Sequence, residues 1–146
     1  MSSSETQIFE NMTRVQQLSY LANAQFATWK SEDLFPNSLY NGKGDAFRHA
    51  LWNALNAIDL GYSLAERLTT AHEQKPASYP YSYKENEMDL YNNRVGRNRS
   101  DFFNQGFSSI EQSIQDAINT GALRYLNNLA PDGTATSASQ LIPTNQ

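Results

Sequence analysis

The stretch Gly44-Asp45-Ala46-Phe47-Arg48-His49-Ala50-Leu51-Trp52-Asn53 sets one of the chain's two histidines inside an apolar helical pattern. On a helix, positions i, i+3 and i+4 share a face. Asp45, His49 and Asn53 therefore stack along one side, with Arg48 and Trp52 flanking them. Phe47, Leu51, Ala54, Leu55 and Ile58 fall on another side and are suited to a core. Polar side chains on so apolar a helix need partners, because burying them unpaired costs free energy.

The remainder reads as further helices with almost no strand signal. A first helix is expected over about residues 5–30, where Ile8, Met12, Val15, Leu18, Leu21, Ala22 and Phe26 recur at helical spacing, with Ser4 as its N-cap. Pro36, Asn37, Asn41 and Gly42 mark a loop. The second helix spans about 45–60, with Gly61 as its C-terminal cap. The third opens on a capping box, Ser63 to Glu66, and ends by Lys75 because Pro76 follows. An aromatic loop over 76–87 carries Tyr79, Tyr81 and Tyr83. A fourth helix is expected over about 87–103. A fifth opens on a second capping box, Ser108 to Glu111, and continues to Leu126.

The 146 residues fit one domain. The expected fold is all-α: a compact bundle of about five helices over residues 1–130, with 131–146 a disordered tail because that stretch is mostly Thr, Ser, Ala, Pro and Asn. The net charge of −4 gives no bulk footprint for nucleic acid, although Arg94, Arg97 and Arg99 cluster locally. The chain has no cysteine, which excludes disulfides, thiolate metal sites and a cysteine nucleophile. No apolar run approaches the roughly 20 residues of a membrane span. Residues 1–5 lack the basic and apolar regions of a signal peptide. Secretion or delivery into a target cell would then use another route, or the chain would be cut from a longer one.

Three polar clusters stand out: Asp45 with Arg48 and His49; His72 with Glu73; and Asp89 with Asn92, Asn93 and Arg97. If the faces converge, they support metal-assisted hydrolysis. His49, His72, Asp45 and Asp89 are the candidate ligands of a divalent Zn, Mn or Mg ion, and Glu73 the candidate general base. Arg48 and Arg97 would hold an anionic group such as a phosphate, and Asn92, Asn93 and Trp52 would contact substrate. Metal-free acid/base chemistry on a phosphodiester or glycosidic bond is the alternative, with the same histidines and Glu73 exchanging protons. His72-Glu73 begins like a zinc-protease helix, but the second histidine of that pattern is missing. No GxSxG elbow is present, so a nucleophilic serine is the weakest option. Each cluster also has a structural explanation. An Asp–His pair at i, i+4 braces a helix, Arg48 ties helices together through Asp89 or Glu73, and Asn92-Asn93 caps a neighbouring helix end. On that reading the chain is a non-catalytic helical binding module.

The blocks Asp45-Ala46-Phe47-Arg48-His49-Ala50-Leu51-Trp52, Ala71-His72-Glu73 and Met88-Asp89-Leu90-Tyr91-Asn92-Asn93-Arg94-Val95-Gly96-Arg97 resemble the signature of a family of small helical bacterial domains. Its members occur at the C-terminal ends of polymorphic toxins and in secreted effectors. The resemblance covers roughly residues 40–105 and makes Gly96 a signature position along with the polar residues. It implies a toxin-like or effector-like context, and with it a cognate immunity protein as partner, while the hydrolase reading rests on the His/Asp/Glu chemistry. The arginines point to a phosphate-bearing substrate: a phospholipid, a cell-wall lipid precursor or a nucleic acid.

Overall fold

The computed structural model describes residues 1–146. Six helices and one two-stranded ribbon follow in order: α1 (Ser3–Glu10), α2 (Arg14–Leu34), α3 (Lys43–Leu60), α4 (Tyr62–His72), α5 (Ser82–Asn98), α6 (Ile110–Asn119), β1 (Arg124–Leu126) and β2 (Leu141–Pro143). α3 is the central element and packs against α2, α4, α5, α6 and β1. Phe47, Leu51 and Ala54 are fully buried along it, as its apolar spacing predicts, and so are Ala46 and Ala50, while Leu55 is half-buried and Ile58 near its end is exposed. No helix is long and apolar enough to cross a membrane.

The expected first helix is two helices. Thr13 accepts a hydrogen bond from the Gln16 N–H, and Gln16 reaches back to the Thr13 N–H. That capping box starts a new helix inside an apolar period that runs on unbroken. α1 is capped by Ser2 rather than Ser4, in a box with Glu5. α4 begins without a side-chain cap, so the Ser63–Glu66 box does not form. α5 starts at Ser82, inside the expected aromatic loop, and ends at Asn98. α6 is capped by Ser109 with Gln112, one residue later than the expected box. It ends at Asn119, where Gly121 takes a positive φ of 76° and turns the chain into β1.

Residues 131–146 are not a disordered tail. β2 pairs antiparallel with β1, with Tyr125 opposite Ile142. Thr144 is buried and donates its hydroxyl to the Ile118 carbonyl at 2.8 Å. The Lys84 ammonium donates to the carbonyls of Thr136 and Ser139, both at 2.8 Å. The small polar residues that suggested disorder are used to make hydrogen bonds to the rest of the chain.

Candidate functional site

His49 lies on the buried face of α3, and its two ring nitrogens meet different partners. Nδ1 is 3.0 Å from both the carbonyl and Oδ1 of Asp45 one turn earlier. The same carboxylate accepts from Arg48 Nη2 at 2.8 Å and from the Asn41 N–H at 2.8 Å. Asn41 holds that N–H in place from a left-handed backbone conformation, φ 60°. Asp45 thus fixes the tautomer and orientation of the ring.

Nε2 faces two carboxylates from other elements. Glu73 Oε1, just past the end of α4, is 3.6 Å away, and Asp89 Oδ1 on α5 is 3.5 Å away. Both oxygens are buried and have no hydrogen-bond partner. A single ring N–H cannot satisfy two acceptors, and both separations are too long for good hydrogen bonds. They match the roughly 3.4 Å between ligand atoms each about 2.1 Å from a tetrahedral ion. The ligand atoms of Asp45, His49 and Asp89 also lie within 4.8 Å of one another, so this buried triad can hold a metal ion.

Three carboxylates surround one imidazole, which shapes the electrostatics. Burial pushes Asp45 up, but His49, Arg48 and the Asn41 N–H outweigh it and hold Asp45 ionised below the usual carboxylate range. Burial opposes charge on His49 as well, yet Asp89, Asp45 and Glu73 raise its affinity for a proton well above the ordinary value. Asp89 is pushed well up, by burial first and then by the Asp45 and Glu73 charges, against the pull of His49. Glu73 goes the other way: His49 and His72 overcome its burial and lower it. The excess negative charge is relieved either by a proton on Asp89 or by a divalent cation.

Glu73 and Asp89 open onto a cavity of about 530 Å³ whose polar wall includes Lys75, Ser78, Ser82 and Asn86. His49 and Arg48 line a separate cavity of about 180 Å³ with Trp52 and His72. The carboxylate–imidazole cluster therefore lies between the two cavities.

Of the residues singled out in the sequence, Asp45, Arg48, His49, Glu73 and Asp89 are brought together. His72 lines the smaller cavity with His49, but its carboxylate partner is Glu5, at 3.0 Å from Nδ1, and the Asp45–His49–Asp89 triad does not include it. Trp52 stacks edge-on to His72 with ring centroids 5.0 Å apart. Asn93 is buried with both amide atoms unpartnered. Two residues are turned to structural work. Asn92 pairs with the Arg124 backbone through both amide atoms and anchors β1. Arg97 donates to Asn53 Oδ1 at 2.9 Å and Thr69 Oγ1 at 3.1 Å, buried between α3 and α4 and lining neither cavity.

Two participants had escaped the sequence reading. Glu5 and Asn41 are both buried and both grip site residues. In the sequence Glu5 stands only at the start of the first helix, and nothing local points from it to His72.

The sequence profile of a family described as a domain of unknown function, DUF6973, matches residues 8–122. No curated protein and no solved structure gives a significant match.

Proposed function

From the premise that the chain belongs to the DUF6973 family, we propose that it is a hydrolase of phosphate-bearing substrates, built around a divalent cation held by His49, Glu73 and Asp89. The observation that carries this reading is the pair of orphaned, buried carboxylate oxygens aimed at His49 Nε2. Asp45 on Nδ1 is the carboxylate that metal-binding histidines characteristically engage through their other nitrogen. With one imidazole and two carboxylates, the donor set suits Zn, Mn or Mg. Such an ion, when bound, supplies Lewis acidity and charge neutralisation for an anionic substrate.

The chain's own groups supply the rest. Lys75, Ser78, Ser82 and Asn86 offer donors to a phosphate in the larger cavity. Arg48, half-exposed and tied to Asp45, offers a cation to an anionic part reaching the smaller one. His72, held through Nδ1 by Glu5, keeps Nε2 for proton transfer. A net charge of −4 favours a phospholipid or a cell-wall lipid precursor over a long nucleic acid. The setting is that of a toxin or effector, delivered into a target cell and neutralised by an immunity protein.

A metal-free acid/base centre is favoured by one observation: the neighbouring carboxyls of Glu73 and Asp89 have their proton affinities driven apart, the pattern of a paired acid and base. Elemental analysis with chelation separates the two readings. The metal reading expects about one divalent ion per chain, a lower melting temperature after chelation, and loss of the ion in Glu73→Gln and Asp89→Asn. Asp45→Asn should weaken the ion's affinity by roughly 10–100-fold. A chain that carries no ion and hydrolyses phosphodiester and phospholipid probes unchanged in chelator would favour the metal-free reading. Expression in cytosol and periplasm tests the activity itself: His49→Ala, confirmed folded by circular dichroism, should relieve growth inhibition. Equal toxicity of wild type and folded variant would sink both.

A further inference from the structure

α2 has a buried face and an exposed one, and the fold covers only the first. Tyr20, Asn23, Ala27 and Ser31 are buried, and α2 packs on α3. The opposite face carries Val15, Leu18, Ala22, Gln25 and Trp29, spaced three and four residues apart like the a and d positions of a coiled coil. Val15 is 73% exposed, Leu18 59% and Trp29 62%, with Leu21 beside them at 49%. Apart from Tyr20 and the half-buried Phe26, the larger apolar side chains of this helix face outward, while Asn23, Ala27 and Ser31 face in. An apolar stripe of this length on one helix marks an interaction surface.

The charges at the ends of the stripe choose the occupant. Arg14 stands at its N-terminal end, Glu32 and Asp33 at its C-terminal end. All three are exposed, and none takes part in an ion pair within the chain. A second α2 laid antiparallel brings Arg14 of each copy against Glu32 and Asp33 of the other. In that register Leu18 meets Trp29, and at the centre the small Ala22 leaves room for Gln25 of the other copy. A parallel pair would set like charges against each other at both ends.

We propose that this face is a self-association surface on which α2 pairs antiparallel with α2 of a second copy. Sedimentation of the 146-residue chain across micromolar to submillimolar concentrations tests it. The expected result is a reversible dimer, at twice the 16.5 kDa chain mass. Its formation should shift Trp29 emission to shorter wavelength in a Trp52→Phe background. Leu18→Glu should raise the dimer dissociation constant by at least about tenfold, with the helical circular dichroism signal kept because the residue is exposed. Arg14→Glu should weaken the dimer as well, and Arg14→Glu combined with Glu32→Lys and Asp33→Lys should restore it. A monomer at every concentration overturns the proposal. So does a dimer indifferent to Leu18→Glu, or one that the charge exchange fails to restore. A monomer that binds anionic lipid vesicles through Leu18 and Trp29 would assign the face to a membrane surface instead, and also overturns it.

Discussion

Burying a carboxylate in the first turn of an N-terminal helix costs desolvation energy unless its oxygens are partnered, and at Glu5 they are. The carboxylate accepts from the Ser2 N–H, the Tyr20 hydroxyl and His72 Nδ1. Burial works to raise its pKa, but the His72 and Tyr20 hydrogen bonds and the His72 charge win and lower it to about 2. A folded-state value below the unfolded one means that the group stabilises the fold above the unfolded pKa of about 4.5, and that this contribution is lost as pH falls toward 2. We therefore expect Glu5→Gln to cost on the order of 2–3 kcal/mol at pH 7 in urea unfolding, and the gap from wild type to close between pH 4.5 and 2. A gap that is constant with pH would mean that Glu5 acts through packing alone. Asp45 and His49 could be paired from sequence because they lie one turn apart on a single helix. Glu5 and His72 are 67 residues apart, and only the docking of α1 on α4 brings them together.

At the scale of elements, the site depends on how closely α5 approaches α3, because Asp89 and His49 sit on opposite sides of that contact. Gly96 makes the approach possible. A Cβ built there would fall 2.6 Å from Ala50 Cα and still closer to the Ala50 carbonyl oxygen, both backbone atoms that cannot move without shifting a helix. Gly96→Ala should cost about 2–4 kcal/mol in chemical denaturation, at or above the upper range for overpacking, and should weaken the proposed metal site by drawing Asp89 away from His49. Gly61→Ala serves as the contrast. It has a positive φ of 86° with ψ 153° but no atom within 4 Å, so its cost should be backbone strain alone, about 1–3 kcal/mol, and should leave the site intact. Helices α3 and α5 were legible because their polar positions repeat at helical spacing. The division between α1 and α2 was not, because the apolar period crosses it unbroken and only the Thr13–Gln16 box marks it.

The whole molecule is closed by the segment that composition alone assigned to disorder. Ser, Thr and Asn are depleted in packed cores on average, but their side chains make short hydrogen bonds to backbone, and here that outweighs the average. Residues 131–146 reach four separate regions. Asn41 donates to the Gly133 carbonyl at 3.0 Å, and the Ala135 N–H reaches the Tyr79 hydroxyl at 3.0 Å. Lys84 gathers the carbonyls near Thr136, and Thr144 closes on α6 and on Leu123. Asn41 is also the residue that donates its backbone N–H to Asp45, so the C-terminal segment supports the site from behind. Ending the chain at Ala130 should remove the β1–β2 pairing, expose Leu126, and take from the Asn41 amide one of its two acceptors, leaving Glu85. At roughly 4 °C per kcal/mol for a chain of this size, a loss of about 2–3 kcal/mol should lower the melting temperature by about 8–12 °C in scanning calorimetry. Because the shortened chain keeps α1 to α6 and every site residue, the hydrolytic activity proposed for it should, at low temperature, fall only in proportion to the loosening of Asp45. A melting temperature unchanged by the truncation would mean that these contacts carry no net stability, and a complete loss of folding would mean that the segment is part of the nucleus of the domain.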